Sequence, residues 1–208
     1  MKIAVVGAGR VGTALGERWT SLGHDVTYGV RNPDTANGGP GRKATVAEAV
    51  RTAELVLLAT PWEPALDAVH AMGDVSGKII VDATNPLVMG SGGLAMDPKA
   101  QPSGAAMIAG VARGAHVVKA FNQTGYENMA DASRFLTRPL MLVAADDTAA
   151  KSTVSELAER SGFQAVDAGP LAHATHLEHL AFIWIDLVFR RGQPRDIAFA
   201  LLRPQAKA

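Results

Sequence analysis

The run Lys2-Ile3-Ala4-Val5-Val6 passes without a break into Gly7-Ala8-Gly9-Arg10-Val11-Gly12, and that into Thr13-Ala14-Leu15-Gly16-Glu17-Arg18-Trp19. A buried strand, a glycine-rich turn and a helix start, in that order, leave little choice of local fold. Gly7 permits the tight turn out of the strand. Gly9 lets a pyrophosphate approach the backbone, and Gly12 lets the helix pack close on the sheet. The free N–H groups and positive dipole end of the helix then face the phosphates. A second apolar strand follows at 25–30, the distance this unit needs. A dinucleotide site built on Gly7, Ala8, Gly9, Arg10, Val11 and Gly12 is therefore expected.

The second strand selects between dinucleotides. Asp25-Val26-Thr27-Tyr28-Gly29-Val30 leads to Arg31-Asn32-Pro33. Enzymes that take NAD usually end this strand on an acid, which binds the ribose hydroxyls and would repel a 2′-phosphate. No acid stands at this tip, and Arg31 follows it. A guanidinium there can clamp a 2′-phosphate through charge-assisted hydrogen bonds. NADP is expected over NAD, with Arg31 and Asn32 at the phosphate. The alternative is an Arg31 that stacks on the adenine and selects nothing. Arg42 and Lys43 lie beyond a flexible-looking Asn37-Gly38-Gly39-Pro40-Gly41 loop, and either fold over the phosphate or are plain surface charges.

Apolar runs alternate with helical patterns, which predicts an α/β fold: a doubly wound parallel sheet of the Rossmann kind wrapped by helices. Further strands are expected at 55–59, 79–82, 117–121 and 140–144, and helices at 45–53, 64–72 and 104–111. The stretch 86–102, with Gly90, Gly92, Gly93 and three prolines, reads as a mobile lid or a disordered connector. From about residue 146 the pattern changes to a helix at 147–161, a short strand at 164–168 and a long helix at 171–191. Two units follow: a dinucleotide-binding domain at 1–145, and a small C-terminal α/β extension at 146–208 ending in an apolar helix. Leu177, Leu180, Ala181, Trp184, Leu187 and Val188 form one stripe of that helix, and Phe182, Ile183, Ile185 and Phe189 are apolar off it. A helix apolar nearly all round must be covered twice, so a partner subunit or a flat apolar ligand is expected on its second face.

With 208 residues, 48% of them hydrophobic, the chain can bury a full core. Its 20 basic and 20 acidic residues cancel, which argues against a nucleic-acid or membrane-surface partner. The lack of cysteine excludes disulfides, thiolate catalysis and Cys-bound metal. The first strand begins at residue 2, with no room for a secretory leader, and no apolar run is long enough to span a bilayer. A cytoplasmic protein is the expectation.

With these segments in place the chain resembles the deazaflavin-dependent NADP oxidoreductases over nearly its whole length. The residues that carry the resemblance are Gly7 to Gly12, Gly29-Val30-Arg31, Ala59-Thr60-Pro61-Trp62-Glu63-Pro64-Ala65, Val118-Lys119-Ala120-Phe121-Asn122 and Asp167-Ala168-Gly169-Pro170-Leu171. The resemblance implies an NADP-binding Rossmann domain, a small C-terminal domain, a homodimer, and a nicotinamide stacked on the deazaflavin coenzyme F420. The cytosolic domains of membrane ferric reductases look similar too, so the fold alone selects no acceptor. A flavin, a ferric chelate, a small carbonyl or a purely NADP-sensing role stay open.

In such a sheet the ligand lies beyond the carboxyl ends of the strands. Thr60-Pro61-Trp62 follows the strand at 55–59, Asn85-Pro86 the next, and Asn122 the one after. Thr60 and Pro61 are expected at the ribose and nicotinamide-side phosphate. Trp62 either flanks a ring or sits in the core. Asn85 and Asn122 are candidates to position the carboxamide or acceptor ring, with turn formation the other reading of Asn122. Hydride transfer between stacked rings asks little acid–base work of a protein, which suits a chain with no obvious catalytic cluster. Lys119 is mid-strand, and its ammonium is expected to point outward beside a helix. His173, His176 and His179 drift around the helix by steps of three and fit one metal poorly. No metal site is expected.

Overall fold

The structure, a computed structural model, describes residues 1–34 and 41–204. Most of the loop read at 37–41 thus lies outside the described residues. The first half of the chain runs β1 (Lys2–Val6), α1 (Arg10–Ser21), β2 (Asp25–Val30), β3 (Arg42–Thr45), α2 (Val46–Arg51), β4 (Leu55–Leu58), α3 (Ala65–His70) and β5 (Ile79–Asp82). After it come β6 (Leu87–Gly90), β7 (Gly93–Met96), α4 (Gly104–Val111), β8 (His116–Lys119), α5 (Tyr126–Ala130), β9 (Leu140–Ala145), α6 (Thr148–Arg160) and β10 (Gln164–Asp167). A 3₁₀ turn at Leu171–His173 leads into α7 (Ala174–Phe189).

Eight strands form one sheet in the order β10-β9-β8-β5-β4-β1-β2-β3. The central strands β4 and, after Lys2, β1 are apolar and buried throughout because both faces of the sheet are covered there. In β1, Ile3 and Val5 join the core beneath α1 and α6, while Ala4 and Val6 join the core beneath α2, α3 and α4. On the first face Trp19, Phe121 and Phe163 pack edge to face, with ring centroids 5.6 and 6.1 Å apart. Trp19 Nε1–H donates to Ser161 Oγ across 3.2 Å, which pins α1 to the end of α6.

Four features differ from the sequence expectation. The sheet is parallel except at one join, where β9 runs antiparallel to β8. The connection from β8 to β9 contains only the short α5 and does not cross back over the sheet, so the chain re-enters from the end it left. Arg42 and Lys43 belong to an edge strand, β3, in parallel register with β2. Residues 86–102 hold an antiparallel hairpin, β6–β7, closed around Ser91 and Gly92; they are not a structureless connector. The last helix starts with a 3₁₀ turn and ends at Phe189 rather than Arg191. Leu177, Ala181, Trp184 and Val188 are buried as the stripe predicts, whereas Ile183 and Phe189 stand 52% and 64% exposed. Among the described residues no helix is long and apolar enough to cross a membrane.

Candidate active site

The carboxyl ends of β1, β2, β4, β5 and β8 open on one edge of the sheet, and every candidate site residue sits there, on a connecting turn or in the first turn of α1. The glycine turn can be tested position by position. A Cβ on Gly7, at φ +105°, would stand 2.6 Å from the Ala59 carbonyl oxygen. One on Gly12 would lie 1.9 Å from the Gly7 carbonyl oxygen. One on Gly9 would meet nothing within 4 Å. Gly7 and Gly12 are therefore glycine for packing, whereas the space beside Gly9 is open. The N-terminus of α1 has no side-chain cap and no acid in its first turn. Its N–H groups are left for an anion.

Around this cradle, Arg10 and Arg31 are exposed and Ala8 and Val11 half-buried. The Arg10 guanidinium lies 5.5 Å from the centre of the Tyr126 ring, and that of Arg195, from the C-terminal tail, 5.3 Å from it. Arg195 also pairs with Glu127 at 2.6 Å. Burial, the largest single influence, would raise the Glu127 carboxyl, but the Arg195 bond, the Glu127 backbone N–H, the Arg195 charge and Tyr126 together outweigh it and hold the group below its usual range. Asn32 Oδ1 accepts from the Asp34 N–H at 3.2 Å, folding the chain just past Arg31. Arg42 is not at this edge: it binds Thr27 Oγ1 (2.9 Å) and Asp25 (3.2 Å) near the opposite end of β2.

The turn after β4 lies against the glycine turn, as the Gly7–Ala59 approach shows. Thr60 Oγ1 is buried with no hydrogen-bond partner among the described residues. An orphaned hydroxyl beside the glycine cradle fits a ribose or phosphate oxygen. Pro61 is exposed, and Trp62 is half-buried. Trp62 Nε1–H donates to Asp97 Oδ2 at 2.8 Å, and this bond, with the Lys99 N–H, holds the Asp97 carboxyl below its usual range. Trp62 thereby tethers one end of the β6–β7 hairpin. The other tether is Arg190, whose Nη2 donates to the Leu94 carbonyl at 2.9 Å.

Asn85 and Asn122 meet. Asn122 Nδ2 donates to Asn85 Oδ1 (3.0 Å) and to the Leu177 carbonyl (3.1 Å), and Asn122 Oδ1 accepts from Gln123 Nε2 (3.1 Å). Asn85 Nδ2 donates to the Asn122 carbonyl at 3.0 Å. The Asn122 amide is thus spent inside the protein, while half-buried Asn85 keeps one amide hydrogen. Pro86 is buried behind it. Phe121, with φ +59°, bends the chain out of β8. For a bulky residue that is a strained backbone; it also ends the strand at Lys119, short of the expected 121.

Lys119 corrects the sequence reading. Its side chain is fully buried and points inward, not outward. Its Nζ lies 2.9 Å from Asp82 Oδ2 and 3.2 Å from Glu178 Oε1, and donates to the Thr84 carbonyl at 2.6 Å. Asp82 Oδ1 accepts from the Thr84 N–H (2.9 Å) and hydroxyl (2.7 Å). Glu178 accepts from the N–H groups of Gly104 and Ala105 at the start of α4. Sequence reasoning missed this cluster; its one local signal was a lysine in an otherwise apolar strand. The three histidines do not converge: His173 Nδ1 contacts the Ala168 carbonyl at 2.6 Å and His179 Nδ1 the Thr175 carbonyl at 2.7 Å. Among the described residues no three potential ligands gather for a metal.

A switch-point cradle on such a sheet defines a dinucleotide-binding protein of Rossmann type. Residues 2–86 match the family of coenzyme F420-dependent NADP oxidoreductases. A crystal structure from Arthrobacter sp. FB24, of a protein provisionally assigned as an F420-dependent NADP reductase, is 31% identical. The match covers 98% of this chain and 100% of that one, with a TM-score of 0.88. The chain belongs to this family of NADP oxidoreductases. Metalloreductase STEAP3 of Rattus norvegicus is 31% identical over 180 residues, 85% of this chain and 36% of its own length. The chain thus spans about a third of that curated relative. A reductive aminase from Aspergillus terreus, solved with NADPH and ethyl levulinate, shares the fold at 20% identity and TM-score 0.65. That match takes in 92% of this chain and 62% of the aminase.

Proposed function

We propose that the enzyme moves hydride between NADP(H) and a flat ring acceptor, the deazaflavin coenzyme F420. The observation that most supports this acceptor is likeness along the entire chain, C-terminal part included, to the Arthrobacter protein. Gly7, Ala8, Gly9 and the first N–H groups of α1, from Arg10 and Val11 to Gly12, cradle the pyrophosphate. Arg31 and Asn32 hold the 2′-phosphate. Thr60 and Pro61 line the ribose, and its hydroxyls complete the orphaned Thr60 Oγ1. Asn85 offers its remaining amide hydrogen to the nicotinamide carboxamide or the acceptor ring, and Asn122 and Pro86 hold it in place. Trp62 acts through the hairpin it tethers. When bound, NADPH supplies the hydride, and a proton from water completes reduction of the acceptor. The protein excludes solvent and aligns the two rings; no residue need act as a base.

In this reading residues 1–145 bind NADP, and residues 146–208 complete the acceptor side and the contact of a homodimer. Exposed Ile183 and Phe189 on α7 and Met89 on the hairpin supply apolar surface for that contact. The enzyme works on the cytoplasmic NADPH pool. Anaerobic mixing of enzyme, NADPH and F420 should bleach the deazaflavin band. No change there, with NADPH binding intact, refutes this acceptor.

A second reading rests on the likeness to metalloreductase STEAP3: NADPH oxidised toward a flavin or ferric chelate. Running FMN, FAD, ferric chelates and small carbonyls in parallel separates the two. Binding without oxidation by any of them would indicate a sensor.

A further inference from the structure

We infer that the buried Lys119–Asp82–Glu178 cluster is a positioning device for the Asn85–Asn122 pair, setting where the amide of Asn85 stands at the hydride-transfer end of the site. Each member of the cluster is wired to a neighbour of that pair. Asp82 holds Thr84 by its N–H and its hydroxyl, at 2.9 and 2.7 Å, and Asn85 is the next residue. Lys119 holds the Thr84 carbonyl at 2.6 Å, so the residue just before Asn85 is gripped at both its N–H and its carbonyl. Lys119 also precedes the Phe121 bend that delivers Asn122. Glu178 follows Leu177, whose carbonyl takes one of the two Asn122 amide hydrogens at 3.1 Å.

The charges explain why the arrangement is rigid. One ammonium faces two carboxylates, all nearly inaccessible to water. The extra negative charge on Glu178 is answered by two N–H groups at the N-terminal end of α4. Nothing in the cluster can rotate without leaving a buried charge unpartnered. Four elements, β5, β8, α4 and α7, thereby share one fixed point beneath the Asn85 turn. A cluster that only stabilised the fold would not need to bond Thr84 three times.

The inference rests on the proposed placement of Asn85 at the nicotinamide end. Its test uses Thr84→Val, which keeps the shape and loses the hydroxyl, Thr84→Ser, which restores it, and Glu178→Gln. Two readouts avoid the acceptor altogether: the side-chain amide NMR signals of Asn85 and Asn122 in ligand-free protein, and the emission of bound NADPH. In Thr84→Val and Glu178→Gln both amide signals should shift or broaden and the nicotinamide emission should change. The Kd for NADPH should stay within about threefold, because the phosphate anchors lie elsewhere. Thr84→Ser should return both readouts toward wild type. Unchanged amide signals and emission in folded variants, with only a lower Tm, would overturn the inference. So would a Kd loss as steep as that from removing Arg31. A wild-type enzyme that fails to reduce F420 refutes the acceptor and leaves this test intact; one that fails to bind NADPH refutes the site itself.

Discussion

Replacing Gly9 by alanine should remove dinucleotide binding and leave the fold untouched, whereas the same change at Gly12 should destroy the fold. At Gly9 the backbone is extended (φ −79°, ψ −167°), a conformation alanine adopts freely. The new methyl meets no protein atom within 4 Å. Stability should hold or rise by about 0.4–1 kcal/mol, since alanine has fewer unfolded conformations to lose. The methyl instead occupies the space through which the pyrophosphate reaches the N–H groups. Losing two charge-assisted bonds of about 1.5–3 kcal/mol each weakens NADPH by roughly 10²- to 10⁴-fold. At Gly12 the methyl would lie 1.9 Å from the Gly7 carbonyl oxygen, forcing α1 off the sheet. Calorimetric titration with NADPH and thermal unfolding, run on both variants, give the answer. A folded Gly9→Ala that binds NADPH normally would refute the placement of the pyrophosphate. A Gly12→Ala as stable as wild type would refute the packing argument.

Arg31→Ala should lose one or two charge-assisted bonds, weakening NADPH at least about tenfold and leaving NADH unaffected; equal losses for both would show that Arg31 selects nothing. Tyr28→Phe should raise Tm by a few degrees, worth about 1 kcal/mol, because the buried Tyr28 hydroxyl has no partner among the described residues. The same burial, with Glu17 nearby, pushes the Tyr28 phenol up to about 12, so its tyrosinate absorbance should appear only there. Burial, then the chain N-terminus and Arg160, hold His24 below its usual 6.5. A depressed value means that the unfolded chain takes the proton first. The His24 contribution is therefore full above about pH 6.5 and is lost as pH falls through the folded value. His24→Gln should flatten that part of the Tm–pH curve, and an identical slope would refute the assignment. Light scattering should give a dimer mass, reduced by Phe189→Lys at the exposed end of α7.

How much of this was legible in the sequence depended on whether the cause was local. Gly7 and Gly12 owe their packing roles to contacts within one strand–turn–helix unit and its neighbouring turn, so spacing revealed them. Thr60, Asn85 and Asn122 could be placed together because a parallel sheet dictates where the carboxyl ends of its strands lie. Edge strand β3 was missed because Arg42-Lys43-Ala44-Thr45 shows no alternation of apolar residues. The direction of β9 was missed because an apolar run carries no arrow. The hairpin was missed because its glycines were read as a mobile lid or a connector, although Leu87-Val88-Met89 and Leu94-Ala95-Met96 flank a two-residue turn of the right kind. Lys119 was misread because its partners, Asp82 and Glu178, are remote in the chain, and only the tertiary fold brings two carboxylates to a lysine at the end of β8.

The single sheet has a consequence for how ligands come and go. Many two-part enzymes open by swinging one half about a hinge. Here β9 and β10 continue the ladder that begins at β3, and any such rotation would tear hydrogen bonds from the middle of the sheet. Access must then be a small local event. The β6–β7 hairpin is suited to it, fastened by one indole–carboxylate bond at Trp62–Asp97 and one guanidinium–carbonyl bond at Arg190–Leu94. Releasing those two latches moves ten or so residues and leaves the cofactor cradle undisturbed. Under the proposed function, one acceptor is exchanged for the next while the dinucleotide stays seated.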